Sequence, residues 1–85
     1  MVKVVMYATG VCPYCIMAEK LLHSRGVTEI DKIRVDQDPV RRAEMMEKTG
    51  RRTVPQVYIG DRHVGGYDDL VRLDQDDGLA RLLMA

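Results

Sequence analysis

The sequence has no surplus of charge: 13 basic and 13 acidic side chains cancel. A nucleic-acid-binding domain would show a basic excess, so its absence argues against that class. Long apolar runs are missing too, which leaves no segment of membrane-span length. The opening "MVKVVMY" is too short for a signal-peptide apolar region with its cleavage site. Cysteine is scarce, with only two in 85 residues, and these stand three positions apart. So short a loop staples almost nothing, which excludes the disulfide scaffold of small secreted domains. The expected setting is therefore the reducing cytoplasm, without membrane or nucleic-acid partners. No internal repeat, linker or low-complexity stretch divides the chain. A length of 85 residues, 46% of them hydrophobic, suits one domain (1–85) around one core.

What is present is an alternation of strand and helix patterns. Val2 to Tyr7 is short and rich in β-branched residues, which predicts a buried strand. From Pro13 the period changes: Tyr14, Met17, Ala18, Leu21 and Leu22 recur at helical spacing, and Gly26 offers a stop. "EIDKIRVD" reads as a second strand. Asp38-Pro39 supplies an N-cap with proline at the first helical position, and Gly50 closes that helix. "QVYI", a Gly60-Asp61 turn and "RHV" predict a hairpin. Gly65-Gly66 then breaks the sheet, before short helices over Tyr67–Leu73 and Gly78–Met84. Strands joined through a helix run parallel with a right-handed crossover. The expected architecture is α/β: a mixed four-stranded sheet flanked by helices.

Both cysteines fall in "GVCPYC", between the first strand and the first helix. Cys12 is thereby placed at a helix N-terminus, where unpaired N–H groups and the helix dipole favour a thiolate. Pro13 fits the first turn because the N–H it lacks would be unpaired anyway. Cys15 lies one turn further on, toward Ala18 and Leu22. The expectation is an asymmetric pair, in which the exposed Cys12 attacks and the inner Cys15 resolves. A zinc site would need further ligands, and only His23 and His63 are obvious soft donors; nothing in their positions brings them to the cysteines. No metal is expected. A redox pair fits the spacing better than a metal site or a structural brace.

In "RRTVPQVYIG" a proline directly precedes an apolar run. One reading is an ordinary strand-start proline. The other is a cis Val54-Pro55 bond that turns the Val54 backbone toward the reactive sulfur, where it pairs with an extended peptide.

"CPYC", "TVPQVYIG" and "GGYDDL", in this order and spacing, resemble the dithiol glutaredoxins over nearly the whole chain. The resemblance implies a thioredoxin-like fold and a glutathione-dependent oxidoreductase that reduces protein–glutathione mixed disulfides and protein disulfides. Cys12 then matches the nucleophile and Cys15 the resolving thiol. Tyr14 matches an aromatic bordering a glutathione groove, and Thr53, Val54 and Pro55 a cis-proline loop that aligns the glutathione cysteine. Gly66, Tyr67 and Asp68 match the segment that takes the γ-glutamyl end, and Arg42 a residue facing the glycyl carboxylate. Glutathione is a co-substrate in this reading, no cofactor is permanently bound, and the protein is a monomer acting on disulfide-containing or glutathionylated proteins.

Charge along the chain suits such a ligand. Arg41, Arg42, Lys48, Arg51, Arg52 and Arg62 make one segment basic, and Asp68, Asp69, Asp74, Asp76 and Asp77 make the next acidic. Glutathione carries two carboxylates and one ammonium, which a basic flank and a helix N-terminus after two glycines could hold. Two positions depart from the family pattern. Thr9 stands where relatives carry lysine, and Tyr67 where many have a small residue or cysteine. Two rivals remain: an electron donor served by thioredoxin reductase, and a dimer bridging an iron–sulfur cluster. Pro13 and Cys15 both disfavour the cluster, and "GGYDDL" disfavours the first rival.

Overall fold

The computed structural model describes residues 2–84. Among them the chain runs β1 (Val4–Ala8), α1 (Pro13–Ser24), β2 (Asp31–Arg34), α2 (Pro39–Thr49), β3 (Gln56–Ile59), β4 (Arg62–Gly65), α3 (Tyr67–Gln75) and α4 (Gly78–Met84). The sheet order is β2-β1-β3-β4, with β1 parallel to β2 and antiparallel to β3. The parallel pair is the one joined through a helix, as a βαβ crossover requires. β3 and β4 form an antiparallel hairpin around Gly60, whose φ of 59° needs a residue without Cβ.

Alternation along β1 assigns the two faces of the sheet. Val4, Met6 and Ala8 pack with Cys15, Ala18 and Leu22 of α1, Leu70 of α3 and Leu79 of α4. Tyr7 points the other way, into a smaller cluster with Val35 and with Met45 of α2. Three helices thus cover one face and α2 the other. Leu22, Leu70 and Leu79 are fully buried, and truncating such a leucine to alanine costs about 2–5 kcal/mol. The Tyr7 hydroxyl donates to Glu44 Oε2 at 2.6 Å, fastening α2 to the sheet. Burial, then this bond to a carboxylate, push the phenol up to about 12.

Element ends differ from the expectation at four places. β1 is Val4–Ala8 rather than Val2–Tyr7, because β3 offers partners only to Val4–Tyr7 and β2 only to Val5–Ala8. For the same reason β2 holds four residues of "EIDKIRVD". Gly65 belongs to β4, paired with Val57 across a bulge, so the sheet breaks one residue later than expected. α3 runs on to Gln75, two residues beyond Leu73. The caps fall where the sequence put them. Asp38 accepts from the Val40 and Arg41 N–H groups, and Gly50 ends α2 at φ 70°.

Candidate active site

Cys12 is the N-cap of α1, in extended conformation, with Pro13 as the first helical residue. Its sulfur accepts the Cys15 N–H at 3.1 Å, one of the amides that the helix start leaves unpaired. Cys12 and Cys15 are joined as a disulfide, with Cα atoms 5.2 Å apart. One expectation is corrected here. Cys12 is not exposed: it is 9% accessible against 5% for Cys15, so both cysteines sit at the edge of the core. The asymmetry lies in their surroundings. Both belong to the main core cluster, but only the Cys12 sulfur faces the Val54 carbonyl oxygen, at 3.9 Å, an acceptor for its S–H when the pair is reduced. The Val54-Pro55 bond is cis.

A groove of about 380 Å³ opens beside this sulfur, lined by Tyr14, Arg51, Thr53, Val54, Pro55, Gly66, Tyr67, Asp68 and Asp69. Seven of the eight binding residues expected from sequence meet there. The eighth, Arg42, sits exposed on α2 and is not part of the lining. The Tyr14 and Tyr67 rings lean together, centroids 6.0 Å apart, so Tyr67 closes one wall. Gly66 caps α3 and lies beside the cis-proline loop, where a Cβ would make only ordinary contact with the Pro55 carbonyl oxygen at 3.5 Å.

Sequence reasoning placed Arg51 only among the basic residues of its segment, behind Arg42, and missed Asp69 as a groove residue. Asp69 Oδ2 accepts from the Gly66 N–H at 2.9 Å and from Arg51 Nη1 at 2.7 Å. The Arg51 guanidinium, then the Gly66 amide, hold the Asp69 carboxyl below the usual carboxylate range. A signal for Asp69 existed: an acidic residue three positions after a capping glycine is a capping-box pattern. Asp68, one position earlier, is exposed and keeps its carboxylate available to the groove.

The glutaredoxin family model matches residues 4–64. The chain belongs to the glutaredoxin family. It is 54% identical over 83 residues to a glutaredoxin of Neisseria meningitidis, covering 98% of each chain. Against glutaredoxin 3 of Escherichia coli it is 43% identical over 83 residues, covering 98% of this chain and 99% of that one. In fold it is similar to a buckwheat glutaredoxin–glutathione complex, with TM-score 0.89 and 31% identity over 98% of this chain and 77% of the other. With a bonded cysteine pair in a thioredoxin-like fold, this glutaredoxin is a thiol–disulfide oxidoreductase.

In this glutaredoxin both cysteines line a further cavity of about 260 Å³, together with Thr9, Gly10, Ile16 and Arg34. Arg34 binds Asp36 through Nε and Nη2, each at 2.8 Å, and Asp36 also accepts the Gly10 N–H at 3.2 Å. Arg34 holds the Asp36 carboxyl far below the usual range. His23 and His63 are engaged elsewhere, with Val27 and Gln56. Among the described residues, no group of three or more His, Cys, Asp or Glu is placed to hold a metal ion.

Proposed function

We propose that this glutaredoxin draws its electrons from glutathione and reduces protein–glutathione mixed disulfides and protein disulfides. The observation that carries this reading is the groove beside Cys12, whose walls match the charges of glutathione. Asp68 suits the γ-glutamyl ammonium, and the start of α3 at Gly66 suits its carboxylate. The glycyl carboxylate goes to the basic side, where Arg51 lines the groove and Arg42 lies further out on α2. Between them the Val54 backbone pairs with the glutathione cysteine in a β-like manner, flanked by Thr53 and Pro55. Tyr14 and Tyr67 cover the ligand's apolar side. The buckwheat neighbour is a glutathione complex, which supports glutathione as the ligand class.

The chemistry is two exchanges. Cys12 thiolate attacks the glutathionyl sulfur, the old S–S bond breaks, and the protein thiolate leaves and takes a proton. A second glutathione thiolate then attacks the Cys12-bound sulfur, releasing glutathione disulfide and restoring Cys12. For a protein disulfide, Cys15 thiolate instead displaces the substrate from Cys12, leaving the Cys12–Cys15 disulfide, which two glutathiones reduce. The protein works as a single-domain monomer in the cytoplasm, with no permanently bound cofactor. None of the described helices is long and apolar enough to cross a bilayer.

The deciding assay follows reduction of a glutathionylated peptide with NADPH, glutathione and glutathione reductase, and separately with thioredoxin reductase alone. Turnover is expected only in the first mixture. Turnover with thioredoxin reductase alone, and none with glutathione, would overturn the reading.

A further inference from the structure

Among the described residues, Gln56 is the one polar side chain wholly removed from solvent. It opens β3, directly after Pro55, and every polar atom of its amide is used. One end lies 2.9 Å from the Thr53 carbonyl oxygen and 3.4 Å from the Thr53 hydroxyl. The other end lies 2.7 Å from His63 Nε2. A carbonyl oxygen only accepts, so the end at Thr53 is the amide nitrogen and the end at His63 is the amide oxygen. That oxygen also only accepts, so the His63 hydrogen sits on Nε2. The ring is steadied in turn by Tyr58, its partner across the hairpin, with centroids 5.1 Å apart. Partial burial, then the nearby Arg51 charge, push the His63 imidazole down from its ordinary value, which favours this neutral form.

We propose that Gln56 and His63 are positioning residues for the exchange reaction, forming a relay in which His63 Nε2–H donates to Gln56 and Gln56 donates to the Thr53 carbonyl. The relay holds the Thr53–Val54 backbone from behind, at the place where the Val54 carbonyl faces the Cys12 sulfur at 3.9 Å. Neither side chain lines the groove; both act through Thr53. Two features separate this role from plain packing. A polar side chain at a fully buried site is costly unless every bond is made, and an apolar residue of the same length would fill the volume as well. The relay also joins the hairpin to the loop beside the nucleophile, so the register of β3 on β4 is transmitted to the groove.

The inference rests on the glutathione reading, and its test separates the two. Gln56→Met keeps the volume and removes both bonds. It is expected to raise the apparent KM for a glutathionylated peptide about threefold to tenfold, the worth of one net hydrogen bond. kcat and the rate at which iodoacetamide alkylates reduced Cys12 should stay within about twofold, because the start of α1 sets the thiolate. His63→Phe keeps the stacking and loses the donor, so it should raise KM in the same direction. His63→Gln, whose amide still donates, should restore most of the loss. The double variant Gln56→Met with His63→Phe should be no worse than Gln56→Met alone, since both cut one relay. An unchanged KM in folded Gln56→Met, an additive double variant, or an equal slowing of Cys12 alkylation would each overturn the relay. If Gln56→Met does not fold, an unchanged KM in His63→Phe overturns it instead. Wild-type protein that fails to turn over the glutathionylated peptide would overturn the glutathione reading, and the relay's assigned role with it.

Discussion

Asp69 binds the start of α3 to the segment before Thr53 through a single oxygen, so its removal tests how the groove is held together. The bond from the Gly66 N–H closes the first turn of the helix, and the bond from Arg51 crosses to the opposite wall. Loss of a helix-capping acceptor costs about 0.5–2 kcal/mol. The ion pair, with side chains 46% and 28% exposed, adds only about 0.2–1 kcal/mol after solvent screening. Asp69→Ala should therefore lose roughly 0.7–3 kcal/mol, with a central value of about 2 kcal/mol. In a domain of this size each kcal/mol moves the melting midpoint by about 4–8 °C, so a fall of roughly 5–15 °C is expected near neutral pH. Asp69→Asn keeps an acceptor for Gly66 and loses only the charge, so its deficit should be smaller and pH-dependent. Because folding lowers the Asp69 pKa, the charged form contributes fully above the unfolded value of about 4, and that contribution fades as pH falls through the folded value. The gap between wild type and Asp69→Asn should thus be open at about pH 7 and narrow progressively as pH falls below about 4. Thermal melts of the reduced proteins by circular dichroism, at low salt and across this pH range, read this directly. Equal midpoints for wild type and Asp69→Ala near pH 7, or an Asn gap that stays as wide in acid, would refute the reasoning.

Two further outcomes concern the exchange itself. Cys12→Ser should abolish all reduction, whereas Cys15→Ser should keep deglutathionylation and lose the two-thiol route; equal loss from both in a deglutathionylation assay would refute the division of labour. Arg51→Glu should raise the apparent KM for glutathione about fivefold to tenfold, as one charge-assisted bond in a half-exposed groove is worth. Arg42→Glu, outside the lining, should act only through a screened field and change KM less than about threefold, with glutathione saturation curves distinguishing the two.

Local patterns made much of this molecule readable before its structure. Cys12-Pro13 and Asp38-Pro39 mark helix starts because capping depends on a few consecutive residues, and Gly50 marks a stop for the same reason. Strand ends were less legible, since Val4 and Ala8 bound β1 only through the partners that β2 and β3 happen to offer. Adjacent Asp68 and Asp69 look alike in sequence; the phase of α3 alone turns the second back onto Gly66 and leaves the first to the groove. Likewise, six basic residues between Arg41 and Arg62 are equivalent candidates until the turn after α2 brings Arg51 to Asp69. Gln56 is the clearest failure of pattern. Its polarity suggests solvent, yet it is fully buried because Thr53, three residues earlier, and His63 on the neighbouring strand β4 satisfy its amide, a pairing that the alternation of polar and apolar residues does not reveal.

The loop before Cys12 shows how a family position can change without leaving a hole. Thr9 brings no charge, and its hydroxyl turns to the Val11 carbonyl at 3.4 Å. Arg34 instead lies against the loop so closely that a Cβ on Gly10 would run into its guanidinium. That cation is offset by Asp36, which also holds the Gly10 N–H, so the pair braces the loop while adding little net field at Cys12. The thiolate is then left to the Cys15 N–H and the start of α1. Thr9→Lys would add an uncompensated charge, and Asp36→Asn would uncover one already in place. Both changes should lower the Cys12 pKa modestly at low salt and lose the effect at high salt, because the loop is solvated. Exchange should quicken less than the pKa falls, since a more stable thiolate is a weaker nucleophile. Thiolate absorbance, titrated in Cys15→Ser protein with each change, measures it. A curve that shifts for Thr9→Lys but not for Asp36→Asn would mean that Arg34 acts on the loop's shape alone. Curves that overlay for both would remove loop charge from the account of Cys12 altogether.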